Sequence, residues 1–407
     1  MLPGDAEVVV RDPEVVALPI VLDDRRLTAH LRACWTAGGA GIPDAVQVTY
    51  LRYKPRTLLV AAVEVENGGD RDARLLVATS TSAQAKLDKL RAYAARHELP
   101  VLAADDDLGI MLLPTEADRH LPGLRRIDDR VGWIDRDLRG GQLRVLAYKP
   151  HRRLVARVEV DGVPAAVVKV HQPRASGAPL QALGWASQVA MDRVPLPRLL
   201  GADPEKGLAV TGWRPGVALH RQEPDRRRAT LRAVGKALGR LHQLDPTGLP
   251  GSPVPDRTKV IEAVGRLRPD LVTIAGRVHH PATGCLATPV HGDLSPDQVV
   301  HGDGGIALLD LDRMGRGCPA ADLASWIAAS VVDASPDPAV PQLPEPLLDG
   351  YRSVDGPATI DHVLAHLPVE LLRRATDPFR HRRAGWSPSM TRIVRLADGA
   401  WTESGVA

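Results

Sequence analysis

Two stretches of this 407-residue chain read almost alike. YLRYKPRTLLVAAVEV starts at Tyr50 and VLAYKPHRRLVARVEV at Val145, an offset of about 95 residues. Each carries Tyr-Lys-Pro, then Leu-Val-Ala, then Val-Glu-Val. β-Branched residues alternating with charges around a Pro-containing turn predict strand, turn, strand. The likeness continues. Apolar strands follow at RLLVATS and AAVVKVH, then helical stretches at AQAKLDKLRAYAARH and APLQALGWASQVAMD. Strand pairs follow at LPVLAADDDLGIMLLP and LPRLLGADPEKGLAVTGW. The order hairpin, strand, helix, hairpin therefore occurs twice, which implies a duplicated small α+β unit.

The copies differ at one telling place. The second puts Lys169 inside AAVVKVH, where the first has Ala78 or Thr79. A lysine in an apolar strand is costly unless its charge meets a partner. The alternative is an edge strand with Lys169 pointing to water. Beyond Arg221 the pattern turns helical. Leu231, Val234, Leu238 and Leu241 recur at helical spacing, and VIEAVGRLRPDLVTIAGRV is a second helix candidate. DLASWIAASVV, EPLLDGYRSV and DHVLAHLPVELLRRATDPFRHRR are further helices, and DASPDPAVPQLPEP is a Pro-rich loop. A chain of this length with two α+β units and a helical part fits several domains.

The net charge of +3 gives no case for nucleic acid or membrane. Aromatic residues are only 3% of the chain, and the Arg-rich pieces DRRRATLR and RHRRAGW fit solvated helix faces. Between Asp293 and Asp355, however, eleven Asp/Glu face three Lys/Arg. A local field of that sign favours cations, although a solvated acidic surface would read the same. The three cysteines, Cys34, Cys285 and Cys318, are far apart and in no metal-binding spacing. That argues against a disulfide or a zinc site and fits a reducing compartment. MLPGDAEVVVRDPEVV lacks the features of a signal peptide, and no apolar run reaches membrane-spanning length, so a cytoplasmic protein is expected.

The acid is concentrated in HGDLSPDQVVHGDGGIALLDLD, which holds five aspartates. Gln298-Val-Val reads as a short strand, His301 to Gly305 as a turn, and Ile306 to Leu309 as a second strand. Gln298 and Asp310 then lie side by side at the open end of the hairpin. Asp293 stands in the loop that enters it. Such an oxygen-rich, thiolate-free cluster suits Mg²⁺ shared with phosphates. A remaining carboxylate could orient a hydroxyl and accept its proton. A polar turn with capping aspartates is the bland alternative.

These residues resemble the aminoglycoside phosphotransferase family, small-molecule relatives of protein kinases. The resemblance rests on HGDLSPDQ, on ALLDLDRMGRGCPAADLA, on the helix LGRLHQLD and on the tail ELLRRATDPFRHRRAGW. It covers roughly residues 142 to 390. It implies an α+β, protein-kinase-like bilobal fold, with a small β-rich N-lobe over 136–215 and a helical C-lobe over 216–407. Residues 1–135 would be a degenerate N-lobe-like copy that lacks the lysine. It implies Asp293 as the catalytic aspartate and Asp310 and Gln298 as metal ligands. Lys169 would hold the α/β-phosphates of ATP. Val210, Thr211, Gly212 and Trp213 would form the adenine-binding hinge. Asp322 would brace the catalytic loop, and His291 would serve packing and hydrogen bonding.

Two departures stand out. Gln298 replaces the family's Asn and is one methylene longer. The helix after Lys169 has no Glu to pair with it, and Gln181 is nearest to that place. The resemblance implies an ATP- and Mg²⁺-dependent phosphotransferase acting on a hydroxyl of a small polar molecule: an aminoglycoside, an amino sugar or a sugar. The acidic stretch favours a cationic acceptor. The competing reading is a pseudokinase that senses a nucleotide or scaffolds a partner.

Overall fold

The computed structural model describes residues 1–36, 41–190, 193–281, 285–333 and 342–403. The chain forms two compact units. The first comprises Met1–Arg174, Asp203–Leu208 and Asp377–Pro388, and the second Ala175–Ala202, Ala209–Thr376 and Ser389–Ala407. Among the described residues no helix is long and apolar enough to cross a membrane.

Alternation of apolar and polar residues builds the sheets. In β1 (Ala45–Lys54), Val46, Val48 and Tyr50 point inward, and a bulge between Val48 and Tyr50 lets Leu51 be buried too. It pairs with β2 (Leu58–Asn67), which pairs with β3 (Asp70–Thr79). The helix Ala85–Arg96, β4 (Ala103–Asp105) and β5 (Ile110–Pro114) follow. The sheet order is β1-β2-β3-β5-β4. The next strands are β6 (Gln142–Lys149), β7 (Arg153–Val160), β8 (Val163–His171), β9 (Leu199–Asp203) and β10 (Leu208–Gly212). Their order is β6-β7-β8-β10-β9, with a bulge in β6 between Val145 and Ala147. The two sheets thus share one strand order and one bulged first strand.

Both Tyr-Lys-Pro turns are held in one way. Arg56 and His151, each following the proline, adopt φ of 60° and 62°. In the first turn the carboxylate of Asp12 accepts from Tyr53 Oη at 2.6 Å and from the Arg56 amide at 2.8 Å. In the second, Asp118 accepts from Tyr148 Oη at 3.0 Å and from the His151 amide at 2.7 Å. A charge-assisted bond to a backbone amide offsets the left-handed conformation of a residue with a side chain. Burial pushes the Asp118 carboxyl up despite these donors. Burial likewise pushes the neighbouring imidazoles of His120 and His151, whose ring centres lie 4.2 Å apart with tilted planes, down to about 4.

The second unit is mainly helical. Of the four positions that the spacing marks, the helix Pro224–His242 buries Val234, Leu238 and Leu241 and leaves Leu231 half-buried. Gly235 and Gly239 let the helix Glu345–Arg352 come close: a Cβ on Gly235 would collide with the Leu347 carbonyl, and one on Gly350 with that of Arg232. The second expected helix is broken. It runs as Arg257–Leu267, a 3₁₀ turn Pro269–Leu271 and the short helix Val272–Ala275. Pro269 lacks the amide that would continue the ladder, so the chain turns there. Three strands form a small sheet: β11 (Val217–Ala218), then β13 (Val299–Gly302) paired with β14 (Gly305–Leu308). A separate two-stranded ladder joins β12 (Thr288–Val290) to β15 (Gly315–Gly317). The helices Ala320–Asp333 and Ile360–Arg374, and the helix Trp386–Glu403 from Ser389 onward, complete the unit. Residues 334–341 of the expected Pro-rich loop, and Asp192 and Met191 at the end of an expected helix, lie outside the described residues.

The cysteines correct the sequence reading. Cys285 and Cys318 are 33 residues apart, yet the ladder of β12 and β15 brings their Cα atoms to 5.4 Å, where they form a disulfide. Spacing along the chain carries no trace of that approach, because the intervening residues fold away and return. Cys34 is a free thiol.

Candidate active site

The acidic stretch folds as the hairpin expected from it. β13 and β14 pair from Val299↔Leu308 to Gly302↔Gly305, and the Leu309 amide donates to the Gln298 carbonyl at 2.8 Å. Gln298 closes a 3₁₀ turn, Pro296–Gln298, rather than beginning the strand. Its backbone and that of Leu309 are nevertheless paired, so Gln298 and Asp310 flank the open end. The Gln298 side chain is buried, and its Oε1 has no hydrogen-bond partner. A buried amide oxygen left unpaired costs about 1–3 kcal/mol. Asp310 is held at φ 63°, a conformation sparsely used by residues with side chains and concentrated at functional sites.

The loop before the hairpin is fixed from below. Asp322, in the first turn of Ala320–Asp333 and fully buried, accepts from the His291 amide at 2.6 Å and the Gly292 amide at 2.7 Å. Its Oδ2 also lies 3.1 Å from His242 Nε2, while His242 Nδ1 lies 2.8 Å from Tyr351 Oη. A proton on Nε2 satisfies both neighbours. His291 Nε2 donates to the Leu309 carbonyl at 2.8 Å. Histidine 291 thus joins the loop to the hairpin and is fully buried, as expected of a packing residue. Gly292 has φ 79°, and a Cβ there would strike the Arg313 carbonyl. Only glycine fits. The Arg313 Nε in turn donates to the Gly292 carbonyl at 3.2 Å.

Asp293 emerges from this braced loop. Arg373 Nη1 donates to its Oδ1 at 2.9 Å and Arg374 Nη2 at 2.7 Å. Arg373 also pairs with Glu370, and both guanidiniums reach Ser325 Oγ. Both arginine bonds to Asp293 fall on Oδ1, so Oδ2 takes no hydrogen bond from any described residue. Burial would raise the Asp293 carboxyl, but Arg373, Arg374 and Arg313 outweigh it and hold it below the usual carboxylate range. Asp293 is therefore ionised across neutral pH, with one oxygen anchored and one open. Sequence reading missed these arginines. LLRRATD was visible as a piece of helix, but nothing in it indicates a partner 80 residues away.

The other expected positions are placed as follows. Lys169 lies on β8 opposite Val155, between the fully buried Val168 and Val170, and is itself half-buried. β8 is flanked by β7 and β10, which rules out the edge-strand alternative. Gln181 sits on the helix Gly177–Trp185, where its Nε2 donates to the Gly248 carbonyl at 2.9 Å. Val210, Thr211 and Gly212 end β10, with Val210 and Thr211 buried, and Trp213 follows the strand. The Gly212 amide donates to the Arg198 carbonyl at 2.9 Å.

The sequence model of the phosphotransferase enzyme family, APH, matches residues 151–360. The chain belongs to this family. Membership makes it a small-molecule kinase of protein-kinase-like α+β fold. Among solved structures, the chain is similar to an aminoglycoside phosphotransferase, APH(3'')-Id, of Streptomyces rimosus, at 19% identity and TM-score 0.44, covering 61% of this chain and 98% of that one. The choline kinase LicA of Streptococcus pneumoniae is similar at 14% identity and TM-score 0.45, covering 69% and 98%. A macrolide 2'-phosphotransferase of Brachybacterium faecium is similar at 18% identity and TM-score 0.42, covering 67% and 98%. No curated protein matches the chain in sequence.

The clamp on Asp293 makes a pH prediction. A depressed carboxylate keeps its charged form, and the stability of its ion pairs, until pH falls through the lowered value. If Asp293 acts on the reacting hydroxyl, the acid limb of kcat/KM that it sets should thus lie below the ordinary value of about 3.9. Arg374→Gln removes one guanidinium and leaves the burial, so that limb should move to higher pH. A pH–rate profile of both proteins checks this, and an unmoved limb would assign the titration to another group.

Proposed function

We propose that the chain transfers the γ-phosphoryl group of ATP to a hydroxyl of a small polar molecule, of the aminoglycoside, amino-sugar or sugar type. The observation that carries this reading is Asp293: an ionised carboxylate with Oδ1 held by two arginines and Oδ2 open. Phosphoryl transfer needs positioning and charge neutralisation more than covalent chemistry. A fixed carboxylate oxygen can accept a hydrogen bond from the attacking hydroxyl, align it and take its proton as the new P–O bond forms.

The residues at the hairpin's open end suit Mg²⁺. The unpaired Oε1 of Gln298 and the carboxylate of Asp310 form an oxygen-only set, the kind a hard cation prefers. When bound, that ion would neutralise phosphate charge and align the transferred group. Lys169 would meet the α/β-phosphates, and the backbone of Val210 to Trp213 would meet the base. The helix after Lys169 carries no Glu, and Gln181, nearest to that place, is neutral. Three arginines surround Asp293, so a cationic acceptor would have to be held by other carboxylates of the 293–355 stretch.

The first sheet is proposed to be a degenerate copy of the second. The shared strand order, the bulged first strands and the matching Asp12 and Asp118 clamps support that origin. It lacks a counterpart of Lys169, and we assign it a structural or acceptor-capping role.

Calorimetric titration with ATP, with and without Mg²⁺, tests the reading. Binding should be metal-dependent in the parent protein and lose that dependence in Asp310→Ala. ATP binding that ignores Mg²⁺ in both would favour a nucleotide-sensing pseudokinase, and turnover against a panel of aminoglycosides and sugars would then be nil.

A further inference from the structure

Behind the proposed catalytic loop, the second unit gathers two sulfurs and an imidazole. Cys285 precedes β12 by three residues, and Cys318 directly follows β15. His366 lies on the helix Ile360–Arg374. One ligand atom from each of the three lies within 4.8 Å of the others, and all three residues are half-buried. A thiolate–thiolate–imidazole set is a zinc donor set: borderline-soft, and unlike the oxygen cluster at Gln298 and Asp310.

We propose that Cys285, Cys318 and His366 bind a Zn²⁺ ion when the Cys285–Cys318 disulfide is reduced. Reduction by two thiols yields two cysteine thiols and one external disulfide. Zinc then displaces the two thiol protons and takes the imidazole lone pair. No sulfur changes oxidation state in that second step. Zinc–sulfur and zinc–nitrogen bonds of about 2.3 and 2.0 Å place neighbouring ligand atoms roughly 3.5–4 Å apart, so the two sulfurs must separate once their bond is reduced. With three protein ligands, a fourth position is left for water or a further side chain.

The placement gives the ion a task. β12 runs directly into His291-Gly292-Asp293, and β15 leads through Cys318 into the helix carrying Asp322, which clamps that loop. His366, Glu370, Arg373 and Arg374 are spaced i, i+4, i+7 and i+8 along one helix face. Two turns, roughly 11 Å, separate His366 from the arginines on Asp293. A metal held by this trio would tie the helix to both strands of the ladder and fix Arg373 and Arg374 against Asp293. The disulfide joins only the strands.

The test uses the full chain, reduced with an excess of thiol and desalted without oxygen. Zn²⁺ is titrated and bound zinc is counted by mass spectrometry. Co²⁺ is titrated in parallel and read by its thiolate charge-transfer absorption. One metal per chain is expected, with the thiolate signature. Cys318→Ser and His366→Ala should each weaken binding by about 100-fold or more. His366→Cys should restore it, and Cys34→Ser should leave it unchanged. The unmodified protein answers the question even if a variant fails to fold. Reduced parent protein that binds no metal, or metal binding indifferent to Cys318→Ser and His366→Ala, would overturn the proposal. Metal counts are independent of nucleotide, so ATP titration of the same samples separates this outcome from failure of the kinase reading.

Discussion

Asp293→Ala should lower turnover by about 10²–10⁴-fold, the usual contribution of a positioned general base. ATP binding should survive, because the residues proposed to hold nucleotide lie elsewhere in the sequence. The substitution also leaves Arg373 and Arg374 beside a neutral methyl group, with Glu370 still paired to Arg373. Some loss of stability should accompany the loss of rate, since removing one partner of a buried ion pair exposes the cost of the other. Asp293→Asn separates the two effects. Its amide oxygen still accepts from one guanidinium, so the helix–loop contact is better preserved, but it cannot take a proton. Both variants should therefore be slow, and Ala should be the less stable. Coupled measurement of ADP release, calorimetry and denaturant titration give the three readouts. An Asn variant that turns over at the parent rate would remove Asp293 from the chemistry and leave it as an anchor for the arginines.

How much of this site was legible beforehand depends on how far each contact reaches along the chain. The hairpin of residues 298–310 was legible because its turn, glycines and strands are all local. Asp322 was expected to brace the loop, and it does so through two backbone amides. The common strand order of the two sheets follows the repeated pattern of hairpin, strand, helix and hairpin. Two features were not legible, and a third was legible but overruled. The arginine clamp joins residues 80 and 81 positions apart, and on a sequence Arg373 and Arg374 look like the solvated charges found on many helices. The Cys285–Cys318 approach depends on a three-residue ladder with no periodicity to detect. The break at Pro269 was written in the sequence, but apolar spacing on either side outweighed it in the reading. Period and motif report local structure, whereas charge pairing is decided by which elements the fold later brings together.

The longest-range pairing gives the largest expected stability effect. Asp5 is fully buried, and its carboxylate accepts from Arg382 Nη1 at 3.0 Å and Nη2 at 2.6 Å. Trp386 Nε1 at 3.0 Å and the Leu2 amide at 2.7 Å complete its shell. Arg382 Nη2 also donates to the Leu22 carbonyl at 3.0 Å. One side chain thus ties the first helix to the segment Asp377–Pro388, which belongs to the same compact unit despite lying near the other end of the sequence. Asp5→Ala leaves a buried guanidinium with no counter-charge in that shell, along with an unpaired indole N–H. A loss of about 3–5 kcal/mol is expected. Arg382→Ala should cost a similar amount, because it strands the carboxylate instead. The double variant should cost much less than the sum, since neither charge is then left alone. Denaturant titrations of the four proteins supply the cycle. If the two single losses simply added, the charges would be acting independently. The buried pair would then not be what holds residues 377–388 to the N-terminal helix.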